Sequence, residues 1–562
     1  MPEEGRGQLP ATRPLDAAIV PQVVPAPPPD ATMAPTPMNR EPDFLQNLQD
    51  ELSDGRAWLD RSIVLGYAVL AGLFVVGFTL LNEQAFAGFQ HIHQAAPWAV
   101  LIWTPALTAG IVWATRRYFP GASGSGIPQV MAAIDPRVDA VARRHFVSFR
   151  LTVAKMALGA AGLLAGLSAG REGPSVQIAA GVMHGARHWL RPGSSLNDHA
   201  LAVAGGAAGI AAAFNAPLAG VVFAIEELSK RMDSKNNSVI ISAIVVAGLV
   251  SISFFGNLTY FGSIAVPRLS WSVFFPGLAV VIVCGVLGGL FSRLLAASIE
   301  GLPDRFSRWR RETPVRFAAG AGLAIAVIGL ATGGATFGAG AEEVRRMLAG
   351  HGDVSQLYVL LKFTATWITS WSGVPGGIFA PSLSIGAGVG HDVAQIFVGH
   401  NSGLAPALIA LGMASFLAAT TQAPLTSFII VMEMINGRSM VLSLMAAAML
   451  ASLISRLISR PLYHTLSHLM IAAVLKNAAP PERAEPAAAP ETPEAAGASG
   501  PITDSSELSL RSESKASENP ADEAKAEKDI TEADARQTLL FESPGEAPAN
   551  QDTPSSGSDR SG

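Results

Sequence analysis

Gly170-Arg171-Glu172-Gly173-Pro174 places a carboxylate inside a glycine-rich break between two apolar runs, Leu151 to Ala169 before it and Pro174 to Val182 after it. An ionisable group at membrane depth is costly and is a functional hypothesis by default. Irregular backbone survives there only where it is buried in protein or lines a polar cavity. Pro174 suits the first turn of a helix, and the glycines before it let backbone N–H groups converge, so the break reads as a helix N-terminus. Such an end attracts anions.

Outward from this break the chain is strongly apolar: of 562 residues 49% are hydrophobic and only 15% charged, which excludes an ordinary soluble domain and points to a membrane protein. Runs long enough to span recur at Ile63–Leu81, Ala99–Ala114, Leu151–Ala169, Val239–Phe255, Val273–Phe291, Phe317–Leu330, Leu357–Trp371, Leu404–Ala419 and Val441–Leu457. Pro217–Ile225 and Pro424–Met432 are shorter, which predicts an all-α polytopic fold with tilted and half-length helices. The single cysteine, Cys284, excludes an intramolecular disulfide. The first apolar run begins near Ile63 after a polar segment, so no cleavable signal peptide is expected, and Arg56 and Arg61 at its start predict a cytoplasmic N-terminus.

Three regions follow from composition. Residues 1–58 form a Pro/Ala-rich tail expected to be disordered; Phe44, Leu45, Leu48, Leu52 and Leu59 within it have roughly helical spacing, fitting a surface amphipathic helix or a solvated linker helix equally. Residues 59–475 form the membrane body. From 476 to 562 there are 18 acidic and 8 basic residues, a net charge of −10 against −5 for the whole chain, so the expected disordered tail is acidic and the body basic.

The body repeats itself. An offset of 207 aligns Pro174-Ser175-Val176-Gln177-Ile178 with Pro381-Ser382-Leu383-Ser384-Ile385, and Ala180-Gly181-Val182 with Ala387-Gly388-Val389. It also aligns Lys155 with Lys362, Ala216-Pro217-Leu218 with Ala423-Pro424-Leu425, and Glu226 with Glu433. Two halves, about 59–260 and 265–475, with matching Gly/Pro-interrupted helices are the signature of a repeat transporter with its site between the repeats.

Two further breaks share the pattern of the first: Gly124-Ser125-Gly126-Ile127-Pro128 and Gly376-Gly377-Ile378-Phe379-Ala380-Pro381. Three helix N-termini facing one point would bind an anion through amides and dipoles, with Ser125 adding an O–H donor, and would release it more readily than a fixed cation would. Glu172 then reads as a gate, an anion that occupies the site and leaves on protonation; the alternative is a structural pair with Arg171 or Lys155. Glu226 and Glu227 either pair with Lys230 and Arg231 on a wet surface or include a proton relay. Since Glu227 aligns with Met434 rather than with an acid, it is the added one. Lys155 and Lys362 lie near span starts, where snorkelling to the interface is expected, and Gly162, Gly166 and Gly170 form a ladder suited to close helix packing. Tyr463, beside Pro461, fits an interfacial belt or a cage of neutral donors. Gly166-Leu167-Ser168-Ala169-Gly170 matches a nucleophile-elbow pattern, but the strand context and triad partners are missing. Zinc ligands at usable spacing are absent from the body.

These residues resemble the CLC chloride channels and chloride/proton antiporters over roughly residues 60 to 475. The breaks at 124–128 and 170–174 and Gly377-Ile378-Phe379-Ala380-Pro381 look like that family's three selectivity-filter segments, in its order. The resemblance implies an inverted-repeat fold in a homodimer. It implies chloride bound by Ser125, the amides of Ile378 and Phe379 and the Tyr463 hydroxyl, with Glu172 as external gate and Glu227 as internal proton-transfer group. Gln129 departs from the glutamate common at its position, and the cytoplasmic regulatory domains of many relatives are missing, which suggests a prokaryotic type. Serine in the first segment argues against the fluoride-selective branch. The expected function is chloride/proton antiport across a bacterial inner (plasma) membrane, with both termini cytoplasmic. A passive voltage- or pH-gated chloride channel is the alternative and an intramembrane hydrolase a remote one. No enzymatic activity, cofactor, metal or nucleic-acid partner is expected beyond chloride, protons and lipid.

Overall fold

The computed structural model describes residues 55–194, 196–229, 236–256, 260–262, 273–350, 354–397 and 404–478. Residues 1–54 and 479–562 of the expected tails, with Phe44, Leu45, Leu48 and Leu52 of the proposed amphipathic segment, and Lys230 and Arg231 lie outside the described residues, whereas 55–58 and 476–478, also expected in the disordered tails, are helical. Within them every regular element is helical. The first half holds α1 (Gly55–Ala95), α2 (Val100–Tyr118), α3 (Ile127–Ile134), α4 (Ala140–Arg143), α5 (Phe149–Leu164), α6 (Glu172–His184), α7 (Asp198–Phe214), α8 (Pro217–Phe223) and α9 (Asn237–Phe255). The second holds α10 (Phe274–Glu300), α11 (Arg305–Glu312), α12 (Pro314–Ala331), α13 (Ala341–Leu348), α14 (Tyr358–Trp371), α15 (Phe379–Phe397), α16 (Ala405–Thr421), α17 (Pro424–Met434), α18 (Val441–Arg456) and α19 (Leu462–Ala478). Six stretches among them are long and apolar enough to cross a membrane, while α7, α16 and α17 are shorter apolar helices.

The offset of 207 carries into the backbone. It maps both ends of α7 onto both ends of α16, and the starts of α6 and α8 onto those of α15 and α17. It also maps two residues held in the left-handed conformation, Asn215 (φ 56°) and Gln422 (φ 60°), each closing its helix, and the positive-φ glycines Gly166 (78°) and Gly373 (86°). Gly170 and Gly377, themselves repeat equivalents, donate to each other's carbonyls at 2.7 and 2.8 Å in an antiparallel bridge. Two equivalent residues bond reciprocally only across a local two-fold axis, so an internal two-fold relates the halves where they meet.

Close helix approach comes from small residues: a Cβ on Gly209 of α7 would lie 2.5 Å from the Ser175 carbonyl of α6. Backbones that near each other are the membrane substitute for hydrophobic collapse. Three expectations change. The run Leu151–Ala169 is not one helix: α5 stops at Leu164, because Gly166 takes φ 78° and seats the Phe89 ring where a side chain would stand. The glycine ladder therefore does not continue along a helix face past Gly162. The apolar runs named above also omit α7, although α16, its equivalent, is among them; α7 is built largely of alanine and glycine, which hydropathy weights weakly.

Candidate anion site

The three glycine-rich breaks meet. Gly376 N donates to Gly124 O at 3.1 Å, joining the first break to the third, and the Gly170–Gly377 bridge joins the second to the third. Ser123 Oγ adds a bond to Gly373 O at 2.9 Å. Gly126 sits at φ 113°, and a Cβ there would be 2.6 Å from Gly173 O, so only glycine allows the first and second breaks to touch. Ile127 and Pro128 open α3, Gly173 and Pro174 lie in the first turn of α6, and Ala380 and Pro381 lie in that of α15. Each first turn leaves amides without intrahelical partners, and those of the second and third breaks converge on one point.

Glu172 lies at that point and is 1% exposed. Its carboxylate takes hydrogen bonds from the backbone of Arg171, of Glu172 itself and of Ala380, the last in the opposite repeat. Its Oε2 makes no hydrogen bond, and a side chain on Gly170 would collide with that oxygen. The structural pairing considered above does not form. Arg171 Nη1 is bonded to Glu83 Oε1 at 3.0 Å and its guanidinium stacks over Tyr260, while Lys155 is engaged elsewhere.

Ser125 and Tyr463 supply hydroxyls from two other elements. The two side chains approach each other, yet both oxygens are buried without a completed hydrogen bond. Unmatched buried O–H groups are costly unless a further acceptor completes them. Tyr463 begins α19 deep in the protein and packs edge-on against Phe379 at 5.9 Å, so it is not an interfacial belt residue. The amides of Ile378 and Phe379 lie at the start of α15 beside them.

Gln129 closes the first segment upon itself. Its Oε1 accepts from Gly126 N at 2.9 Å and its Nε2 donates to Ser123 O at 2.5 Å. An ionised glutamate could make the first bond but not the second. Lys155 and Lys362 are both 0% exposed, which corrects the expectation of snorkelling. Lys155 Nζ donates to Ala122 O at 2.8 Å and Gly124 O at 2.6 Å; Lys362 Nζ donates to Thr336 O at 3.0 Å and Gly338 O at 2.8 Å. Each lysine ties down a loop in its own half, and only the loop held by Lys155 belongs to the site. Ser168, the centre of the elbow-like match, bonds to Thr366 Oγ1 at 2.9 Å and so fastens the halves together.

The two neighbouring glutamates have separated roles. Glu226 accepts from the amides of Leu425 (3.0 Å) and Thr426 (2.7 Å) at the start of α17. Glu227, 7% exposed, lies on a widened turn, Ala224–Leu228, closed by Ser229 N to Ala224 O at 2.8 Å. This extra residue in the turn directs Glu227 inward while Glu226 stays half-buried, and such bulges often mark functional positions. Both Glu227 and Glu172 lie within electrostatic reach of the Tyr463 hydroxyl.

Two cavities approach the site, with no lining residue in common. One of about 1040 Å³ ends on Glu172 and Arg171 and is walled by Glu83, Tyr260, Glu343 and Arg345. The other, about 150 Å³, ends on Ser125, Ile378 and Tyr463 and is flanked by Arg116 and Arg310. The sequence reading did not single out Arg116, Arg310 or Tyr260, because only tertiary packing brings them to the cavities.

Residues 99–456 match the family model described as voltage gated chloride channel. The chain is 28% identical over 425 residues to an H(+)/Cl(-) exchange transporter, ClcA, of Citrobacter koseri, covering 72% of this chain and 87% of the relative. Among solved structures it resembles a slow cyanobacterial Cl-/H+ antiporter with TM-score 0.63 and 24% identity, over 74% of this chain and 98% of that one. It also resembles a CLC-type fluoride/proton antiporter with TM-score 0.58 and 22% identity, over 72% of this chain and 95% of that one. A eukaryotic CLC transporter matches at TM-score 0.59 and 22% identity, over 74% of each chain.

Proposed function

Because the chain belongs to the voltage gated chloride channel family, we propose that it is a chloride/proton antiporter in which Glu172 is both the external gate and a proton acceptor. One observation carries the reading: the buried Glu172 carboxylate sits on the Ala380 amide, an anion already in the place that helix amides prepare for an anion. Protonation neutralises the carboxylate and weakens its charge-assisted bonds, so chloride displaces it. The leaving side chain takes its proton with it, and ion exchange follows from one group competing for one place.

Chloride in the central position accepts from the Ser125 and Tyr463 hydroxyls, which are buried without a completed hydrogen bond, and from the Ile378 and Phe379 amides. No full cation touches it there, so binding stays weak enough for release. Glu227 passes protons between its own aqueous side and Glu172, and the Tyr463 hydroxyl lies within the field of both. Residues 124–128, 170–174 and 377–381 form the selectivity filter. The protein works as a homodimer with one pathway per subunit, in the inner membrane of a bacterium with both termini cytoplasmic. Arg56 and Arg61 at the start of α1, and Arg116 and Arg310 beside the smaller cavity, support that orientation.

The test is reconstitution into liposomes with a chloride gradient, the voltage held near zero by an ionophore and external pH recorded. Uphill proton movement driven by chloride alone is the expected result. Chloride flux without proton movement makes the protein a passive channel on the same fold and removes the relay role from Glu227.

A further inference from the structure

Residues 479–562 hold 18 acids and 7 bases, and the first part of the segment is acidic without interruption: Glu485, Glu491, Glu494, Asp504 and Glu507 have no basic residue among them. The segment follows α19, whose Leu462, Leu466, Leu469 and Met470 line the cavity of about 150 Å³ and whose last residue is Ala478. Arg137 Nη2 lies 3.4 Å from His468 Nδ1, which ties the outer part of α19 to the turn between α3 and α4. An acidic segment therefore leaves the protein beside that cavity.

The surface around it is basic. Arg117, Arg144, Arg150, Arg305, Arg308 and Arg316 are exposed, and they flank Arg116, Phe146, Arg310 and Pro314, which line the same cavity. Among the described residues none of these exposed arginines forms an ion pair with a carboxylate. The acids near them are largely engaged: Asp135 holds Arg137, Asp198 holds Arg143 and Arg187, and Asp304 caps α11, while Glu312 is exposed. Arg117 and Arg150 lie over the rings of Tyr118 and Phe119 at 5.9 and 5.2 Å, which holds both guanidiniums in place. A face rich in arginine also suits anionic lipid headgroups, but these arginines frame a cavity rather than a lipid-facing band. A tethered polyanion fits such a rim.

We propose that the acidic segment 479–562, led by its part from Glu485 to Glu507, docks on this arginine rim and covers the mouth of the smaller cavity. Single exposed ion pairs are weak and screened by salt. Tethering changes the balance, because a short flexible linker holds its ligand at millimolar effective concentration. Asp504 lies 26 residues beyond Ala478, and a flexible chain of that length spans about 30 Å. No carboxylate has to enter the cavity, since the contact is between two charged surfaces. Docking itself does not depend on the transport reading; its consequence, slower anion passage through a covered mouth, rests on it.

The test is photo-crosslinking of the full chain in nanodiscs of phosphatidylcholine and phosphatidylglycerol, with Ser505→Cys carrying a benzophenone maleimide; Cys284 is buried and stays unlabelled. Crosslinks to peptides 137–150 and 305–316 are expected. They should fade at about 1 M salt, where the Debye length is about 3 Å, and those at 305–316 should be lost in the combined Arg305→Gln, Arg308→Gln and Arg316→Gln variant. Crosslinks confined to lipid assign the rim to headgroups and overturn the docking, as do crosslinks undiminished by salt or spread over both faces of the protein. In liposomes, replacing the five acids from Glu485 to Glu507 by their amides should raise chloride flux about two-fold, the gain expected if the mouth is covered half of the time. Unchanged flux in that variant overturns the covering role. Absence of chloride flux from both parent and variant sinks the transport reading, while the crosslinks still decide the docking.

Discussion

Glu226 and Glu433 perform the same task in opposite directions: Glu226 accepts from Leu425 N and Thr426 N at the start of α17, and Glu433 accepts from Ala219 N at 2.7 Å and Leu218 N at 3.3 Å at the start of α8. Each half caps a helix of the other. The carboxylates complement the positive helix ends and satisfy amides that have no intrahelical partner. Replacing either by alanine should cost about 1 to 2 kcal/mol. Thermal unfolding in detergent should show both variants losing several degrees to a similar extent, while proton coupling in liposomes is retained.

Glu227 should behave in the opposite way. Glu227→Gln keeps the shape of the side chain and removes its titration, so it should leave stability near that of the parent and abolish chloride-driven proton movement. Coupling retained in that variant would move the relay to another residue.

Glu172→Gln imitates the protonated gate. Chloride flux should continue and uphill proton movement should vanish, read by paired chloride-electrode and pH recordings. Loss of both fluxes in a folded protein would mean that the side chain holds the filter together rather than gating it.

Lys155→Met and Lys362→Met make a matched pair. Each removes two hydrogen bonds from a buried amino group and leaves two buried carbonyls without that donor, at about 1 to 3 kcal/mol each, so both should unfold at lower temperature. Only Lys155 secures the Ala122–Gly124 loop that carries Ser125, so chloride affinity by calorimetry should fall in Lys155→Met and hold in Lys362→Met.

Gln129→Glu should weaken chloride binding. The glutamate loses the bond donated to Ser123 O and, when ionised, sets a negative charge in the turn before α3. Calorimetric titration should show lower affinity that recovers as pH falls and the new carboxyl protonates.

Much of this is legible in the sequence alone, and the reasons are local. Glu172 in its break, the three Gly/Pro segments and the single offset of 207 are properties of short stretches, and they sufficed for a duplicated membrane body with a site between its halves. What escaped depends on tertiary approach. Glu226 at i+4 from Lys230 suggests a surface pair on one helix, but its partners lie about two hundred residues away, at the head of α17. Lys155 and Lys362 look like span-end lysines because sequence does not give depth; both are buried under loops they hold. Arg116 and Arg310 belong to unrelated segments and become neighbours only across a cavity.

The bridge between Gly170 and Gly377 is an isologous contact within one chain, the kind that two identical subunits make across a dimer axis. A frame of that kind cannot by itself distinguish one end of the pathway from the other. Polarity enters through side chains that differ at equivalent posts: Glu172 stands opposite Phe379, and Glu227 opposite Met434. A chain with two identical halves would carry two gates or none, so the end of the pathway at which the gate stands is written in a few mismatches on an otherwise symmetric scaffold.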